Sequence, residues 1–181
     1  MAEYNAMQTV KRRFFAMRNG IVADTLRRTM PEYKMVFGLN IPQIADIARE
    51  TGISRALAEE LWADRRTRES MLMAPMIFPI EELDAPTAGR MMDEVVTPEV
   101  ADILCHRLLR HHPDARRLAM ERVASPDDLV RYTAFRLLFN LLPDRAEEVK
   151  PFAEAEFSSA CPLTRALTRA LLEEIDFLSE E

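Results

Sequence analysis

Two stretches in the second half of the chain repeat one another, and this repeat constrains the fold more than any other feature. TPEVADILCHRLLRHHPDA begins at Thr97 and SPDDLVRYTAFRLLFNLLPDRA begins at Ser125. Both start with a hydroxyl residue, a proline and an acidic residue, carry RLL near the middle and have PD near the end, at an offset of 28 to 30 residues. Such a unit is typical of a helical hairpin, which cannot bury its apolar face alone and must stack on neighbours. The repeat predicts an all-α solenoid of antiparallel helix pairs with one concave surface.

Apolar residues recur at helical spacing along almost the whole chain, without the alternation of a β-strand. The 181 residues include 4 Gly and 11 Pro, which fits helices separated by proline stops better than a sheet with many turns. This length and pattern predict a single domain over residues 1–181. The predicted helices are 3–18, 21–30, 42–51, 54–63, 66–77, 87–95, 98–111, 114–124, 126–141, 145–157 and 163–178.

Prolines and glycines predict where these helices begin and end. Helix ends are expected just before Pro31, Pro79, Pro113 and Pro143. Helix starts are expected at three prolines that would occupy a first helical position, Pro98, Pro126 and Pro162. Gly20 and Gly52 stand where a helix C-terminus favours a left-handed residue. Ser125, followed by Asp128, resembles a capping box.

Charge is unevenly distributed along the chain. The net charge is −6; the first 80 residues carry 12 Lys and Arg against 9 Asp and Glu, and residues 81–181 carry 12 against 21. An acidic second half argues against indiscriminate nucleic-acid binding, although a basic concave face can coexist with an acidic convex one. No apolar run reaches the roughly 20 residues needed to span a bilayer, and no signal peptide is evident, so we expect a cytoplasmic protein without a membrane partner.

Neither a metal site nor a cofactor site is predicted. The two cysteines, Cys105 and Cys161, stand in apolar helical contexts without metal-ligand spacing, so we expect buried free thiols. The chain also lacks a glycine-rich phosphate loop.

The order and spacing of four stretches carry a family resemblance. They are YKMVFGLNIPQIADIARETG, LAEELWADRRTRESMLMAPMI, the two repeat helices and PLTRALTRALLEEI, which together cover most of residues 33–175. On these stretches the chain resembles the short members of the DNA alkylation repair family, the HEAT-like-repeat alkylpurine DNA glycosylases. The resemblance implies a solenoid of HEAT-like helix pairs whose concave face holds duplex DNA. It also implies that the activity to consider is the release of alkylated purine bases.

The resemblance gives Asp102 a catalytic role. Family members place an aromatic residue, an aspartate four residues later, an arginine on the next inner helix and a late aromatic residue in the cleft. The aspartate aligns with Asp102, whose carboxylate would stabilise the cationic sugar as the base leaves or would position water. The other positions depart, because the first aromatic becomes Pro98, the arginine becomes Tyr132 with Arg131 one residue earlier, and the late aromatic becomes Arg169. Without aromatic rings to hold a cationic lesion, base release stays open at the level of sequence.

The residues alone also allow a structural interpretation of Asp102. It stands at the edge of the apolar stripe of its helix, one turn before His106. A carboxylate there favours the positive end of the helix dipole and can contact a histidine four residues later.

DNA binding requires only cations at suitable places on the concave face, because phosphate contacts carry most of the affinity. The candidate DNA-contacting residues are Arg107, Arg131, Tyr132, Arg136, Arg165 and Arg169. Arg131 projects toward an otherwise apolar side, so we expect it to reach the helix end or an acidic partner. The acidic balance and the missing aromatics favour an alternative, a scaffold that binds a protein or peptide on the same surface. Duplex DNA and a protein or peptide therefore both stay open as partners.

Overall fold

The structure is a computed structural model and describes residues 5–180. Those residues form eleven α-helices, and their β-structure is limited to an isolated bridge between Met35 and Thr67. The prediction of an all-α solenoid is confirmed. The part of the first predicted helix that precedes residue 5 lies outside the described residues. None of the described helices has both the length and the apolar composition needed to traverse a lipid bilayer.

The chain divides into two compact units, the first ending at Leu83 and the second beginning at Asp84. The single domain expected over residues 1–181 stays a prediction. The first unit contains α1 Ala6–Ala16, α2 Gly20–Thr29, α3 Ile41–Thr51, α4 Arg55–Ala63 and α5 Arg68–Ile77, followed by a 3-10 turn at Ile80–Glu82. Helix α5 packs against α3 and α4, and α1 packs against the same two helices.

A buried carboxylate fixes the loop between α2 and α3. Glu69 of α5 is fully buried and accepts the backbone N–H groups of Phe37, Gly38 and Leu39 at 3.1, 2.9 and 3.3 Å. Arg68 lies 3.2 Å from the same carboxylate and donates to the Leu39 carbonyl at 2.8 Å. A buried charge is tolerated only when it is paired and hydrogen-bonded, as here, so this network holds the loop in one conformation.

The second unit contains the repeat. Its helices are α6 Ala85–Asp93, α7 Pro98–Arg107, α8 Ala115–Met120, α9 Asp128–Asn140, α10 Ala146–Ser159 and α11 Arg165–Glu180, with a 3-10 turn at Leu109–His111 after α7. Helix α9 is central because it packs against α7, α8 and α11, and α10 packs against α11. Leu104, Phe135 and Leu171 are fully buried in this core. The repeat therefore aligns α7 with α9 side by side.

Each predicted helix overlaps one observed helix, and several of the predicted ends are confirmed. Pro98 is the first residue of α7, where the Thr97 hydroxyl accepts the N–H of Val100 at 3.4 Å. Gly52 follows α3 with a left-handed φ of 82°. Gly20, in contrast, was wrong as a C-terminal residue, because it begins α2 after an Asn19 cap.

Two predicted helix starts were also wrong. Helix α9 begins at Asp128 rather than at Pro126, because the carboxylate of Asp127, not the Ser125 hydroxyl, accepts the first free N–H groups, at 2.8 and 3.1 Å. Helix α11 begins at Arg165 rather than at Pro162. The intervening residues form a turn in which the Thr164 hydroxyl donates to a carboxylate of α10 at 2.6 Å.

Candidate nucleic-acid interface

Helices α7 and α9 bring three polar side chains together where they pack side by side. The Tyr132 hydroxyl of α9 donates to Oδ1 of Asp102 on α7 at 3.0 Å. Arg136, four residues after Tyr132 and so on the same face of α9, places Nε 3.0 Å from the same Oδ1. We call Asp102, Tyr132 and Arg136 the carboxylate cluster. The cluster joins the two helices of the repeat, since Tyr132 and Arg136 follow Asp102 by 30 and 34 residues in the sequence.

The carboxylate cluster leaves Asp102 oriented and accessible. Among residues 5–180, both contacts end on Oδ1, which leaves Oδ2 for a ligand, and the Asp102 side chain is 37% exposed. The Arg136 Nε–H does not point at an acceptor in the described part of the chain, so the contact is an ion pair without a hydrogen bond at that nitrogen. The guanidinium also lies 5.8 Å from the centroid of the Phe139 ring.

Burial sets the protonation of the carboxylate cluster. Partial burial raises the pKa of Asp102, and it outweighs the lowering by Arg136 and by the Tyr132 hydrogen bond, while Glu99 raises it further. Burial also raises the pKa of Tyr132, and the negative charge of Asp102 adds to the rise. Tyr132 therefore keeps its proton and donates it to the carboxylate.

A buried thiol lies beneath the carboxylate cluster. The Sγ atom of Cys105 is 3.5 Å from the Thr133 carbonyl of α9. Burial raises its pKa, and the nearby Asp102 raises it further, so the thiol is not activated as a nucleophile. Cys105 and Cys161 are both buried free thiols, as the sequence predicted.

Arg131 lies apart from the carboxylate cluster and is held by the protein itself. It donates to the Ser125 carbonyl at 2.7 Å, to Asp128 at 2.6 Å and to Glu156 of α10 at 3.1 and 3.2 Å. The sequence predicted that Arg131 would reach the helix end or an acidic partner, and it does both. Its part in DNA binding stays a prediction.

The structure does not bring Arg165 and Arg169 to the carboxylate cluster. These residues and Asp176 recur at helical spacing on one face of α11. The Arg165 guanidinium lies 5.8 Å from the ring of Phe157 on α10, and Asp176 lies 2.7 Å from Lys150 on α10. This face of α11 is therefore turned toward α10. Both arginines are exposed, and their contact with DNA stays a prediction.

Arg107 lies at the C-terminal end of α7 beside basic residues that were not among the predicted DNA contacts. His106, Arg107, Arg110 and His111 are all exposed, and we call them the basic cluster. Arg110 Nη1 lies 3.4 Å from Nδ1 of His106, and Arg110 Nε donates to Nε2 of His111 at 3.3 Å. The signal in the sequence is local: residues 103–113 hold two arginines and three histidines but no acidic residue.

A model of the DNA alkylation repair enzyme family matches residues 10–169. The chain belongs to the DNA alkylation repair family. A solved structure described as "A new family of proteins related to the HEAT-like repeat DNA glycosylases with affinity for branched DNA structures" is similar, with a TM-score of 0.79 and 18% identity. The match covers 91% of this chain and 73% of that one, and at this identity it concerns the fold. No curated protein matches the chain by sequence.

In this member of the DNA alkylation repair family, an arginine of the next inner helix does lie beside Asp102. It is Arg136, one helical turn after Tyr132, the residue that aligned with the family's arginine. The position-by-position comparison with the family did not identify Arg136, because it tests one position at a time. Residues four apart share a helix face, so an arginine one turn further along the helix can still contact the same neighbour.

Proposed function

We propose that the protein binds DNA through the face that α7 and α9 form around the carboxylate cluster. The observation that carries this proposal is the convergence of Tyr132 and Arg136 on Asp102, which holds an accessible carboxylate in a fixed orientation. It does so at the position that the family resemblance assigns to the residue acting on DNA. Family membership over residues 10–169 and the branched-DNA affinity described for the similar structure support the same conclusion.

Local charge makes this binding compatible with an acidic protein. The net charge of −6 repels DNA at long range, so the contact depends on cations placed at short range. Arg136 adjoins Asp102, and of the two arginines in the basic cluster Arg107 ends the helix of Asp102 and Arg110 lies in the 3-10 turn that follows. Each phosphate that they neutralise releases counterions, which makes the affinity depend on salt.

Binding is tested by fluorescence anisotropy with a labelled duplex and a labelled three-way junction. We expect binding to both at about 50 mM salt and loss of affinity toward about 200 mM, since phosphate contacts weaken with salt. Tighter binding to the junction than to the duplex would show that this chain favours branched DNA, for which the similar structure is described as having affinity. Absence of binding to either DNA at low salt would reject the proposal and favour the alternative, a scaffold for a protein or peptide partner.

Release of alkylated purines is a second candidate function, favoured by the free Oδ2 of Asp102. An alkylated purine is cationic, so breaking its bond to C1′ moves positive charge onto the sugar as the base leaves neutral. Water then adds its oxygen to C1′ and gives up one proton to solvent. A carboxylate oxygen turned toward C1′ stabilises the charged sugar. Tyr132 and Arg136 contribute by holding Asp102 in place.

This second function is tested by base release from methylated duplex DNA. Asp102→Asn keeps the shape of the side chain and removes its charge, so we expect release to fall about a hundredfold or more, as when one electrostatic stabiliser is removed. Tyr132→Phe removes the orienting hydroxyl and should give a smaller loss. Circular dichroism checks that both variants fold. Wild-type release that Asp102→Asn leaves unchanged would rule out the catalytic role.

A further inference from the structure

The arginines of the basic cluster differ from most arginines of the second unit, which are paired with carboxylates. Within residues 84–180, eight of eleven arginines lie within 4.0 Å of a carboxylate. The three others are Arg107, Arg110 and Arg165, and Arg165 lies over the Phe157 ring. The two arginines without a carboxylate or ring partner in this part of the chain are therefore neighbours.

Contacts with Arg110 place two histidines beside this charge. Arg110 contacts both His106 and His111, which accept only if their contacting ring nitrogens carry no proton. All three histidines of the protein stand in the segment 103–113. His112 differs from the others because it is buried and its Nδ1 accepts the backbone N–H of Asp114 at 3.0 Å. His106 and His111 are thus the two exposed histidines of the basic cluster.

A structural explanation accounts for only part of this arrangement. Cations near a helix C-terminus interact favourably with the helix dipole, by about 0.3–1 kcal/mol each at exposed positions. One or two cations would achieve this, whereas the basic cluster sets two arginines and two histidines against one another. Mutual repulsion without an acidic partner is typical of a site that meets an anion.

We propose that the basic cluster binds a backbone phosphate of DNA held on the α7–α9 face, and that His106 takes up a proton when the phosphate binds. The inference rests on the proposed DNA-binding function and names the atoms that contact the phosphate. Arg110 supplies the central guanidinium, with Arg107 and the two exposed histidines around it. Because His106 lies one turn after Asp102, the phosphate lies next to the carboxylate cluster.

The surroundings of His106 account for the proton uptake. Its pKa lies below the ordinary value of 6.5, first because of partial desolvation and then because Arg110, Arg107, Arg136 and His111 repel a further positive charge. A bound phosphate screens these cations and favours the protonated ring, which gains a second donor. The complex then binds more protons than the free protein, so affinity must rise as the pH falls through this range.

The test is the Kd of a labelled duplex at about pH 8 and about pH 6, a range in which histidine is the side chain that ordinarily titrates. We expect the wild-type protein to bind more tightly at the lower pH, by at most about tenfold for each pH unit if one proton is taken up. His106→Gln removes a group that can be protonated, so it should lose more affinity at the lower pH than at the higher pH and gain less on acidification. His111→Gln shows how much of the remaining gain belongs to the second exposed histidine.

Arginine variants test the phosphate contact independently of pH. Arg110→Gln should weaken binding at both pH values and lower the slope of log Kd against log salt by about 0.9, the value for one phosphate contact. The matched control is Arg117→Gln, since Arg117 is exposed on α8 and pairs with Asp114 and Glu121. The control should leave the Kd and its slope unchanged.

The outcomes separate this inference from the proposed function. Wild-type binding that is independent of pH, together with an Arg110→Gln variant that binds equally well, overturns the basic cluster as a phosphate site and leaves DNA binding intact. No DNA binding by the wild-type protein at low salt overturns the proposed function and the inference together.

Discussion

Asp102 is a residue on which burial and neighbouring charge act in opposite directions. Burial raises its pKa above the ordinary value of 3.8, although Arg136 and Tyr132 both favour the ionised form. The net effect is that ionisation of Asp102 weakens the fold. Its contribution to stability is fully present below about pH 4 and is lost as the pH rises through its folded pKa. The protein is therefore less stable when the Asp102 carboxylate at the surface of the α7–α9 pair is ionised.

This sign gives a prediction for Asp102→Asn. The amide carries no charge, so the variant should gain stability relative to the wild-type protein as the pH rises from about 4 to about 7. Urea unfolding at the two pH values measures the difference. Glu81→Gln, which removes the charge of an exposed carboxylate, is the control for the loss of one negative charge. A difference between Asp102→Asn and the wild-type protein that does not change with pH would contradict the assignment.

Two glycines offer a matched test of packing at single residues. Gly38 and Gly52 both have a φ of 82°, which is strained for any residue with a Cβ atom. A Cβ at Gly38 would meet the Asn19 carbonyl oxygen and lie 2.7 Å from the backbone nitrogen of Ala23, whereas a Cβ at Gly52 meets nothing within 4 Å.

We therefore expect different losses from the same substitution. Gly52→Ala should lower the free energy of unfolding by about 1–3 kcal/mol, the cost of placing a Cβ atom in an extended positive-φ conformation that is almost restricted to glycine. Gly38→Ala should lose clearly more, because the chain between α2 and α3 must also move. Urea unfolding measures both values. Equal losses would show that the close approach of α2 to this loop is relieved without cost.

At the scale of elements, Arg131 joins α9 to the chain before it and to α10. Its partner Glu156 is 8% exposed and also accepts the Thr164 hydroxyl that precedes α11. One carboxylate thus links three successive helices of the second unit. Removing the arginine leaves that carboxylate buried without its cation.

Arg131→Gln should accordingly destabilise the protein by about 1–3 kcal/mol, the range for a buried polar group left unsatisfied. The control is Arg145→Gln, because Arg145 is 61% exposed and its ion pair within residues 5–180 is with the equally exposed Glu148 three residues later. We expect the control to change stability little. Thermal unfolding compares the two variants, and equal shifts in Tm would argue against the linking role of Arg131.

The helices were predictable because their apolar periodicity is strong, and their exact starts were less so. Proline is compatible with a first helical position without requiring it, so Pro98 begins its helix while Pro126 and Pro162 do not. The side chain that caps a helix determines the residue at which the helix begins, and Asp127 is the cap of α9. Which of several neighbouring residues will cap a helix is only weakly predicted by the local sequence.

The residues of the candidate site were predicted only in part. Family resemblance identified Asp102, but contacts between helices depend on register along each helix, and Arg136 reached Asp102 from one turn away. The contacts of Glu69 were not predicted, because its buried carboxylate is stabilised by backbone N–H groups 30 to 32 residues earlier in the chain. Contacts between residues distant in sequence leave no periodic signal.

At the scale of the whole molecule, the acidic charge and the basic cluster act together. A net charge of −6 opposes binding to DNA in general, so the proposed binding depends on the short basic segment beside the carboxylate cluster. This arrangement predicts binding that is weak at high salt and concentrated on one face. Because the proposed binding is electrostatic, its affinity should depend strongly on the salt concentration.

The most direct measurement is the salt dependence of the Kd for a labelled DNA duplex, with the wild-type protein, Arg136→Gln and Arg117→Gln compared. We expect measurable binding at about 50 mM salt, a slope of log Kd against log salt that Arg136→Gln lowers by about 0.9, and no change in Arg117→Gln. Equal effects of the two substitutions would contradict binding through the α7–α9 face. Lack of binding by the wild-type protein at low salt would contradict the DNA-binding function itself.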